Sequence, residues 1–173
     1  NPVRTQKIGA YTLTLNAMQQ KVVDAVIEND RTEKKPCLIH GVTGSGKTEV
    51  YMELIAEAAG RGKQSIVLIP EIALTYQTVM RFYHRFGDRV SIMNSKLSPG
   101  ERSDQFERAK KGEIDVMIGP RSALFTPFSN LGYIIIDEEH EGTYKSETIP
   151  RYHARETAIE RARMSGATVI LGS

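Results

Sequence analysis

Short apolar segments alternate along the chain with longer segments in which apolar residues recur at helical spacing. The apolar segments are continuous runs, which is typical of parallel strands covered on both faces of a sheet. We predict helices over residues 16–27, 47–59, 75–86, about 98–111 and about 154–164, and strands over residues 37–40, 65–69, 90–93, 115–118, 133–136 and 168–171. Repeated units of this length predict an α/β fold with a doubly wound, mainly parallel sheet, helices on both faces and right-handed crossovers.

Local signals place several boundaries of these elements. Ser98 and Glu101 form a capping-box pattern at the start of the fourth helix. The polar, charged segment Asn29–Pro36 predicts a surface loop, and a longer polar stretch runs from Asp137 to Tyr152. The chain begins without Met and stops directly after its last predicted strand, so we expect residues 1–173 to be a single lobe cut from a longer protein.

The segment between the first predicted strand and the second helix has a phosphate-binding pattern. From Gly41 to Thr48 it reads Gly-Val-Thr-Gly-Ser-Gly-Lys-Thr, which fits G-x-x-x-x-G-K-[ST] in the strand–loop–helix context that this pattern requires. A glycine-rich turn that merely caps a helix is the alternative reading. Such a turn would need neither the lysine nor the hydroxyl that follows it.

The physical chemistry of such a loop assigns a role to each part. Its backbone N–H groups converge on phosphate oxygens, and the following helix adds its positive end. Lys47 would reach the β- and γ-phosphates, and the Thr48 hydroxyl would bind Mg²⁺. The predicted nucleotide contacts come from Gly41, Thr43, Gly44, Ser45, Gly46, Lys47 and Thr48.

Two carboxylates follow the strand predicted at residues 133–136. Asp137 and Glu138 would lie at the sheet edge where the phosphate-binding loop also falls. Asp137 would hold Mg²⁺ through water and Glu138 would orient or deprotonate the attacking water, so the pair predicts hydrolysis of a nucleoside triphosphate. A kinase would need a site for an acceptor, of which the sequence has no sign. The alternative is an acidic helix start, because Asp and Glu favour helix N-termini.

Composition narrows the class of protein only slightly. The 173 residues suffice for one domain, and 40% hydrophobic and 25% charged residues are ordinary for a globular protein. A net charge of +2 is too small to indicate nucleic acid by itself. The single cysteine, Cys37, excludes an internal disulfide and is predicted to be a small buried hydrophobe. No window reaches the length of a transmembrane helix and no signal peptide begins the chain, so we expect a cytoplasmic protein without membrane contact.

Several motifs together resemble one helicase family. Asp137-Glu138-Glu139-His140 resembles the Asp-Glu-x-His box of superfamily 2 helicases, and the run from Gly41 to Tyr51 closely resembles the PriA replication-restart helicases, also called primosomal protein N′. Further stretches that agree with that family are Leu15-Asn16 with Gln19, Ile69 to Thr75, Arg121 to Phe125, and Pro150 to Arg155. The resemblance covers nearly the whole chain, with the motifs in the right order.

The resemblance implies the first RecA-like lobe of an ATP-dependent DNA helicase that moves 3′→5′ on single-stranded DNA in replication restart and primosome assembly. ATP and Mg²⁺ are the implied cofactors, whereas zinc belongs to a cysteine-rich segment outside this chain. The implied partners are single-stranded or forked DNA, a second RecA-like lobe in the same protein, primosome proteins and single-strand-binding proteins. Because the arginine finger belongs to the second lobe, we expect the isolated lobe to hydrolyse almost no ATP.

The resemblance also assigns roles to individual residues. Gln19 matches the glutamine that reads adenine, and His140 joins Lys47, Asp137 and Glu138 in the catalytic set. The residues that match DNA-contacting motifs are Pro70, Glu71, Thr75, Arg121 and Ser122, together with Tyr144, Arg151 and Tyr152 of an aromatic-rich loop. Thr75 is equally suited to cap a helix, and Phe125 either stacks on a base or belongs to the core.

The chain departs from the family pattern at two places, and two other functions compete. Pro120 stands where the family usually has threonine, which removes a hydroxyl and an N–H, and Asn94 stands where it usually has histidine.

The first alternative function is a nucleotide-gated binding module, in which ATP switches a protein contact without translocation. The second is the motor subunit of another superfamily 2 translocase, such as a restriction enzyme, against which the stretch Arg151-Tyr152-His153 argues.

Overall fold

The computed structural model describes residues 15–40, 45–137 and 151–172, with the backbone alone at residues 45 and 151–153. Its helices are α1 (Ala17–Thr32), α2 (Ser45–Gly60), α3 (Tyr76–Phe86), α4 (Pro99–Lys110) and α5 (Arg151–Ser165). Its strands are β1 (Cys37–Ile39), β2 (Gln64–Leu68), β3 (Val90–Ile92), β4 (Val116–Gly119), β5 (Leu131–Asp137) and β6 (Thr168–Gly172). Three 3₁₀ turns lie at Glu71–Ala73, Gly87–Arg89 and Arg121–Phe125. Nowhere in these ranges is a helix both long and apolar enough to cross a bilayer.

These strands form one parallel sheet with the order β1-β6-β5-β2-β4-β3. The predicted doubly wound, parallel α/β sheet is therefore confirmed. In a parallel sheet the carboxyl ends of all strands meet at one edge, here called the carboxyl edge. Asp137 at the end of β5 pairs with Gly172 of β6, and Gly172 pairs with Ile39 of β1 on its other side. The strand ends that flank the predicted phosphate-binding loop are thus direct neighbours.

Two apolar cores cover the two faces of the sheet. Helices α1, α2 and α3 contribute to one core, and α4 and α5 contribute to the other. Successive residues of a strand point to opposite faces, so in β5 Tyr133 and Ile135 belong to the first core and Ile134 and Ile136 belong to the second. Because helices cover both faces, the middle of each central strand carries apolar side chains on both faces. This explains why these strands read as continuous apolar runs in the sequence.

Side-chain caps define where three of the helices begin. Asn16 and Gln19 form a capping box at the start of α1, and the predicted box of Ser98 and Glu101 is confirmed at the start of α4. Thr75 accepts a backbone hydrogen bond and caps α3, which confirms the capping reading of that residue. The 3₁₀ turns were not predicted, because three to five residues are too few to show a hydrophobic period.

The edge of the sheet at β1 differs from the predictions. Helix α1 continues to Thr32, so the predicted surface loop is wrong for residues 29–32 and begins only after them. Cys37 is half-buried rather than fully buried, because among the strands that the structure describes β1 lies at the edge of the sheet, beside β6. The next residue, Leu38, is 56% exposed for the same reason.

A buried carboxylate in the last turns of α1 explains why that helix is longer than its polar composition suggests. The Thr168 hydroxyl, at the start of β6, donates a hydrogen bond of 2.6 Å to Asp30 Oδ1. Lys34 and Arg61 form ion pairs with the same carboxylate at 3.2 and 3.3 Å. Asp30 is therefore a core residue that fastens α1 to the amino edge of the sheet, opposite the carboxyl edge.

The network continues from Arg61 into α2 and β5. Arg61 pairs with Glu57 of α2, and the Tyr133 hydroxyl donates a hydrogen bond of 2.9 Å to Glu57 Oε1. Burial, and then this bond, raise the pKa of Tyr133 above its ordinary value, so its hydroxyl keeps the proton that it donates. One set of polar contacts thus links α1, α2, β5 and β6 at the amino edge.

We expect Asp30→Ala to lower the free energy of unfolding by about 1–3 kcal/mol, because it leaves the buried Thr168 hydroxyl without an acceptor. The loss stays within this range because Arg61 and Lys34 are partly exposed and can regain water. Urea unfolding of the purified protein measures it. The matched control is Asp24→Ala on the exposed side of the same helix, for which a change within about 0.5 kcal/mol is expected. Equal losses in the two variants would contradict the role given to Asp30.

Candidate nucleotide-binding site

The candidate site is formed where β5, β6 and the first turn of α2 meet at the carboxyl edge. Asp137 is the last residue of β5 and is buried, although a carboxylate at a strand end would ordinarily be solvated. Its neighbour across the β5–β6 pairing is Gly172. Helix α2 begins at Ser45, so Lys47 and Thr48 lie in its first turn. The parallel sheet thus brings together two motifs that are far apart in the sequence.

Lys47 is the central cation of this site. Its side chain is 2% exposed, and its Nζ atom lies 3.9 Å from Asp137 Oδ1. A buried cation at a helix N-terminus is unfavourable by itself, because burial and the positive end of the helix both oppose the charge. The Asp137 carboxylate offsets that cost in the structure as it stands. A triphosphate would offset it further, since its oxygens carry several negative charges.

The donor set beside Lys47 suits a hard divalent cation. The hydroxyl of Thr48 and the carboxylate of Asp137 are oxygen ligands of the kind that Mg²⁺ prefers, and Mg²⁺ usually takes its remaining ligands from water and phosphate. Thr48 is half-buried in the first turn of α2, directly after Lys47. The residues present therefore fit a magnesium–nucleotide complex.

Gln19 connects α1 to the phosphate-binding loop. Its Nε2 donates a hydrogen bond of 3.1 Å to the carbonyl of Gly46, and its Oε1 accepts one of 2.9 Å from the Asn16 backbone. The side chain is buried by these contacts. Gln19 thus holds the loop's carbonyl in place and completes a capping box, a role that the sequence pattern did not assign. Reading adenine with the same amide remains a prediction.

Tyr51 packs against the end of β6, a contact that sequence reasoning missed. This residue lies one turn after Thr48 in α2 and is buried. A Cβ atom built on Gly172 would lie 2.9 Å from Tyr51 Cζ and closer still to the Tyr51 hydroxyl. Only glycine leaves room for the ring at that position. The contact therefore sets how closely α2, with Lys47, approaches the strand that flanks Asp137.

The segment after β2 carries the first group of residues predicted to contact DNA. Pro70 is buried, whereas Ile72 and Tyr76 are 77% and 79% exposed. The Glu71 carboxylate accepts hydrogen bonds from the Ser95 hydroxyl and the Ser95 backbone N–H. These bonds, the side-chain one first, lower the pKa of Glu71 below its ordinary value. Glu71 thus ties this segment to the loop after β3, while a contact of Glu71 with DNA remains a prediction.

The second group lies in the 3₁₀ turn Arg121–Phe125, after β4. Phe125 is 61% exposed, so the alternative that placed it in the core is wrong. Arg161 of α5 donates hydrogen bonds to the carbonyls of Leu124 and Thr126, the residues before and after Phe125 in the chain. Burial lowers the pKa of Arg161 from its ordinary value, although a guanidinium stays charged. Arg161 thus fixes the backbone that presents Phe125, and no sequence motif indicated this residue.

The remaining predicted site residues lie outside the described part of the chain. This holds for the backbone of Gly41, Thr43, Gly44, Glu138, His140 and Tyr144 and for the side chains of Ser45, Arg151 and Tyr152. The structure brings together Gln19, Gly46, Lys47, Thr48 and Asp137 around the loop. It places Pro70, Glu71, Thr75, Arg121 and Ser122 after the neighbouring strands β2 and β4, at the same carboxyl edge.

Comparisons with known proteins show one family and a set of similar proteins. The model of the family described as "Type III restriction enzyme, res subunit" matches residues 12–171. The replication restart protein PriA of Bacillus subtilis (strain 168) is 50% identical over 162 residues, which are 93% of this chain and 20% of the relative. PriA of Treponema pallidum (strain Nichols) is 41% identical over 162 residues, which are 94% of this chain and 24% of the relative. The chain therefore spans about a fifth to a quarter of the length of these curated relatives.

Solved structures add support for the fold. RecG in a structure bound to a three-way DNA junction superposes with a TM-score of 0.68 at 23% identity, over 99% of this chain and 22% of RecG. A hypothetical ATP-dependent RNA helicase from Sulfolobus tokodaii superposes with a TM-score of 0.64 at 18% identity, over 99% of this chain and 50% of that one. The six-stranded parallel sheet with helices on both faces is thus that of a RecA-like helicase lobe.

We expect Gly172→Ala to displace Tyr51 and to lower the free energy of unfolding by about 1–3 kcal/mol, as overpacking a tight contact does. Because the displacement moves α2, the increase in melting temperature caused by MgATP should shrink as well. Adding Tyr51→Phe removes the atom nearest to the new methyl group and should restore part of both losses. Thermal unfolding with and without MgATP measures these effects.

The control for this prediction is Gly60→Ala at the other end of α2. A Cβ atom there meets nothing within 4 Å, so we expect unchanged or slightly increased stability. If Gly172→Ala were tolerated as well as Gly60→Ala, the packing of Tyr51 on Gly172 would not determine the place of α2.

Proposed function

The chain belongs to the family described as "Type III restriction enzyme, res subunit", and on that premise we propose that it is the ATP-binding lobe of an ATP-dependent 3′→5′ DNA helicase in replication restart. Identities of 40–50% to PriA proteins over most of the chain support the choice within the family. Since the chain spans only about a fifth to a quarter of those relatives, the activity of the whole protein is part of the proposal.

The observation that carries the proposal is the position of Lys47. Its buried ammonium group lies in the first turn of a helix, within 3.9 Å of the Asp137 carboxylate. A lysine is not placed there for stability, because the same volume could be filled by an apolar side chain at lower electrostatic cost. An incoming triphosphate makes the arrangement favourable. The buried Lys47 ammonium group is therefore best explained as part of a binding site for a ligand that carries several negative charges.

The chemistry follows from the groups around that cation. Lys47 would hold the β- and γ-phosphates, and Thr48 and Asp137 would hold Mg²⁺, which neutralises charge on the phosphate oxygens when it is bound. Asp137 would then exchange its ion pair with Lys47 for the metal. Gln19 donates a hydrogen bond to the Gly46 carbonyl and so fixes the backbone directly before Lys47. Glu138 follows Asp137 in the chain and would orient or deprotonate the water that attacks the γ-phosphate.

Exposed residues at the carboxyl edge support the proposal that ATP hydrolysis drives movement on single-stranded DNA. Ile72, Tyr76 and Phe125 are large apolar side chains that remain exposed after the strands β2 and β4. Grooves for single-stranded nucleic acid combine aromatic side chains such as Tyr76 and Phe125, on which bases can stack, with cations that contact phosphates. Arg121 lies in the same turn as Phe125 and would supply one such cation. We place the aromatic-rich loop with Tyr144, Arg151 and Tyr152 on this DNA path as well.

Further domains of the whole protein would be needed for hydrolysis and movement along DNA. We propose a second RecA-like lobe that closes over ATP and supplies an arginine finger, together with a zinc-binding segment. Single-stranded or forked DNA is the proposed substrate, and primosome and single-strand-binding proteins are the proposed partners. The cytoplasm is the proposed location, because replication restart takes place on DNA in that compartment of a bacterial cell. The name of the family favours one competing function, the motor of a restriction enzyme.

In the whole protein, we expect Lys47→Ala and Asp137→Asn each to lower kcat of ATP hydrolysis by about 10²–10³-fold or more, because each removes a group that stabilises charge in the transition state. Glu138→Gln should abolish hydrolysis and unwinding of a forked duplex while ATP binding persists. A coupled ATPase assay and a fluorescent-nucleotide titration measure these outcomes. The control is Lys21→Ala on the exposed side of α1, which should keep the wild-type rate. Unchanged function of Glu138→Gln would favour a nucleotide-gated binding module.

We expect Phe125→Ala to weaken the binding of a single-stranded oligonucleotide by about 1–3 kcal/mol through the loss of one stacked base. Arg121→Ala should weaken it and also reduce its dependence on salt, because one phosphate contact is lost. Fluorescence anisotropy at several salt concentrations measures both. Met164→Ala, which truncates an exposed apolar side chain near the end of α5, is the control and should leave the affinity unchanged. Equal affinity of all three variants would remove Phe125 and Arg121 from the DNA path.

A further inference from the structure

Two acidic residues of α2 face two basic residues of α3. Arg81 donates a hydrogen bond to Glu49 Oε1, and Arg85 Nη2 lies 3.1 Å from Glu53 Oε2. On each helix the two charges are four residues apart, so both lie on the same face, one turn above the other. We call this set of four residues the ion-pair ladder. Its side chains are partly covered, and Glu49 and Arg85 are the least exposed of the four.

The two helices joined by the ladder carry the two proposed functions of the lobe. Glu49 directly follows Thr48, so the first rung lies within one turn of the residues proposed to bind phosphate and Mg²⁺. Helix α3 begins with Tyr76, whose exposed side chain lies on the proposed DNA path together with that of Ile72 in the turn just before the helix. A shift of α3 along its axis would therefore move Arg81 and Arg85 relative to Glu49, Glu53 and the phosphate-binding loop.

The ladder is poorly explained as a device for stability. Partly exposed ion pairs contribute only about 0–1 kcal/mol each, because water competes for both charges and two long side chains lose freedom. Both helices already contribute to one apolar core, through Val50 and Leu54 on α2 and Phe82 and Phe86 on α3. What paired charges add is a fixed relative position, because a guanidinium and a carboxylate meet in few geometries.

Resting on the function proposed above, we propose that Glu49, Glu53, Arg81 and Arg85 are positioning residues that transmit DNA binding to the nucleotide site. DNA on the segment before α3 orders the position of that helix. The ladder passes the position to α2, and α2 carries Lys47 and Thr48 to the triphosphate. The residues themselves touch neither ligand. The ladder is therefore needed for stimulation of ATP hydrolysis by DNA and not for the chemical step itself.

The test uses the whole protein and reverses the charges of the ladder. The first variant combines Arg81→Glu with Arg85→Glu, and the second adds Glu49→Arg and Glu53→Arg, which restores opposite charges with the sides exchanged. ATP hydrolysis is measured at saturating MgATP, without DNA and with a saturating single-stranded oligonucleotide. We expect the first variant to lose about five- to tenfold of the stimulation by DNA, with a basal rate near that of the wild type. The second variant should recover most of the stimulation.

Two further measurements separate positioning from folding. Arg81→Gln with Arg85→Gln removes the charges without placing like charges together, so this variant should fold normally and still lose stimulation. Thermal unfolding should change little in it, because each pair contributes little stability. The matched control reverses the exposed pair Glu107–Lys110 on α4, a helix that carries no residue of either proposed path, and should leave stimulation unchanged.

The outcomes distinguish this inference from the function on which it rests. Wild-type protein without any stimulation by DNA would overturn the proposed function and this inference together. If the reversed and the neutral variants were both stimulated by DNA as strongly as the wild type, the inference alone would be overturned. A loss that the exchanged charges do not restore, or one that follows the melting temperature, would overturn it as well. Loss in the reversed and neutral variants with recovery in the exchanged one supports the ladder as the link.

Discussion

A buried lysine at the start of a helix imposes the main constraint on this lobe. Lys47 is opposed by burial and by the helix dipole, and it is tolerated because the Asp137 carboxylate lies 3.9 Å from its ammonium group. That proximity requires the end of β5 to lie beside the first turn of α2. The parallel sheet places the end of β5 at the carboxyl edge, beside Gly172 of β6. The packing of Tyr51 on Gly172 and the hydrogen bond from Gln19 to Gly46 hold the first turn of α2 at the same edge.

The two edges of the sheet divide stability from function. At the amino edge, Asp30, Thr168 and Arg61 form a closed set of polar contacts that fastens α1 and α2 to the strands. At the carboxyl edge, a cation is kept for a ligand, and large apolar side chains such as Tyr76 and Phe125 remain exposed. An arrangement that costs energy at one edge is tolerated because the other edge holds the elements in place. The ion-pair ladder lies between them, on the helices that leave the carboxyl edge.

Much of the fold and part of the site could be predicted from local patterns. The continuous apolar runs predicted a parallel sheet, and the capping box at Ser98 and the N-cap at Thr75 marked helix starts that the structure has. The loop pattern ending in Lys47 and the carboxylate of Asp137 were found because their chemistry is written in short, contiguous motifs. Composition misled at residues 29–32, where a polar stretch reads as a loop although Asp30 is buried. Solvent exposure of Phe125 could not be read from its type, because a phenylalanine fits a core equally well.

The sequence by itself determined the order of strands and helices, the phosphate-binding pattern and the carboxylate that accompanies it, because each of these depends on neighbours within a few residues. Only the tertiary structure decided that Tyr51 packs on Gly172, that Arg161 holds the turn with Phe125, and that two ion pairs join α2 and α3. These contacts join residues that are distant in the chain, and a side chain's partner depends on the place where the fold puts both. Spacing along the sequence reports which face of an element a residue occupies. It carries no information about what stands opposite that face.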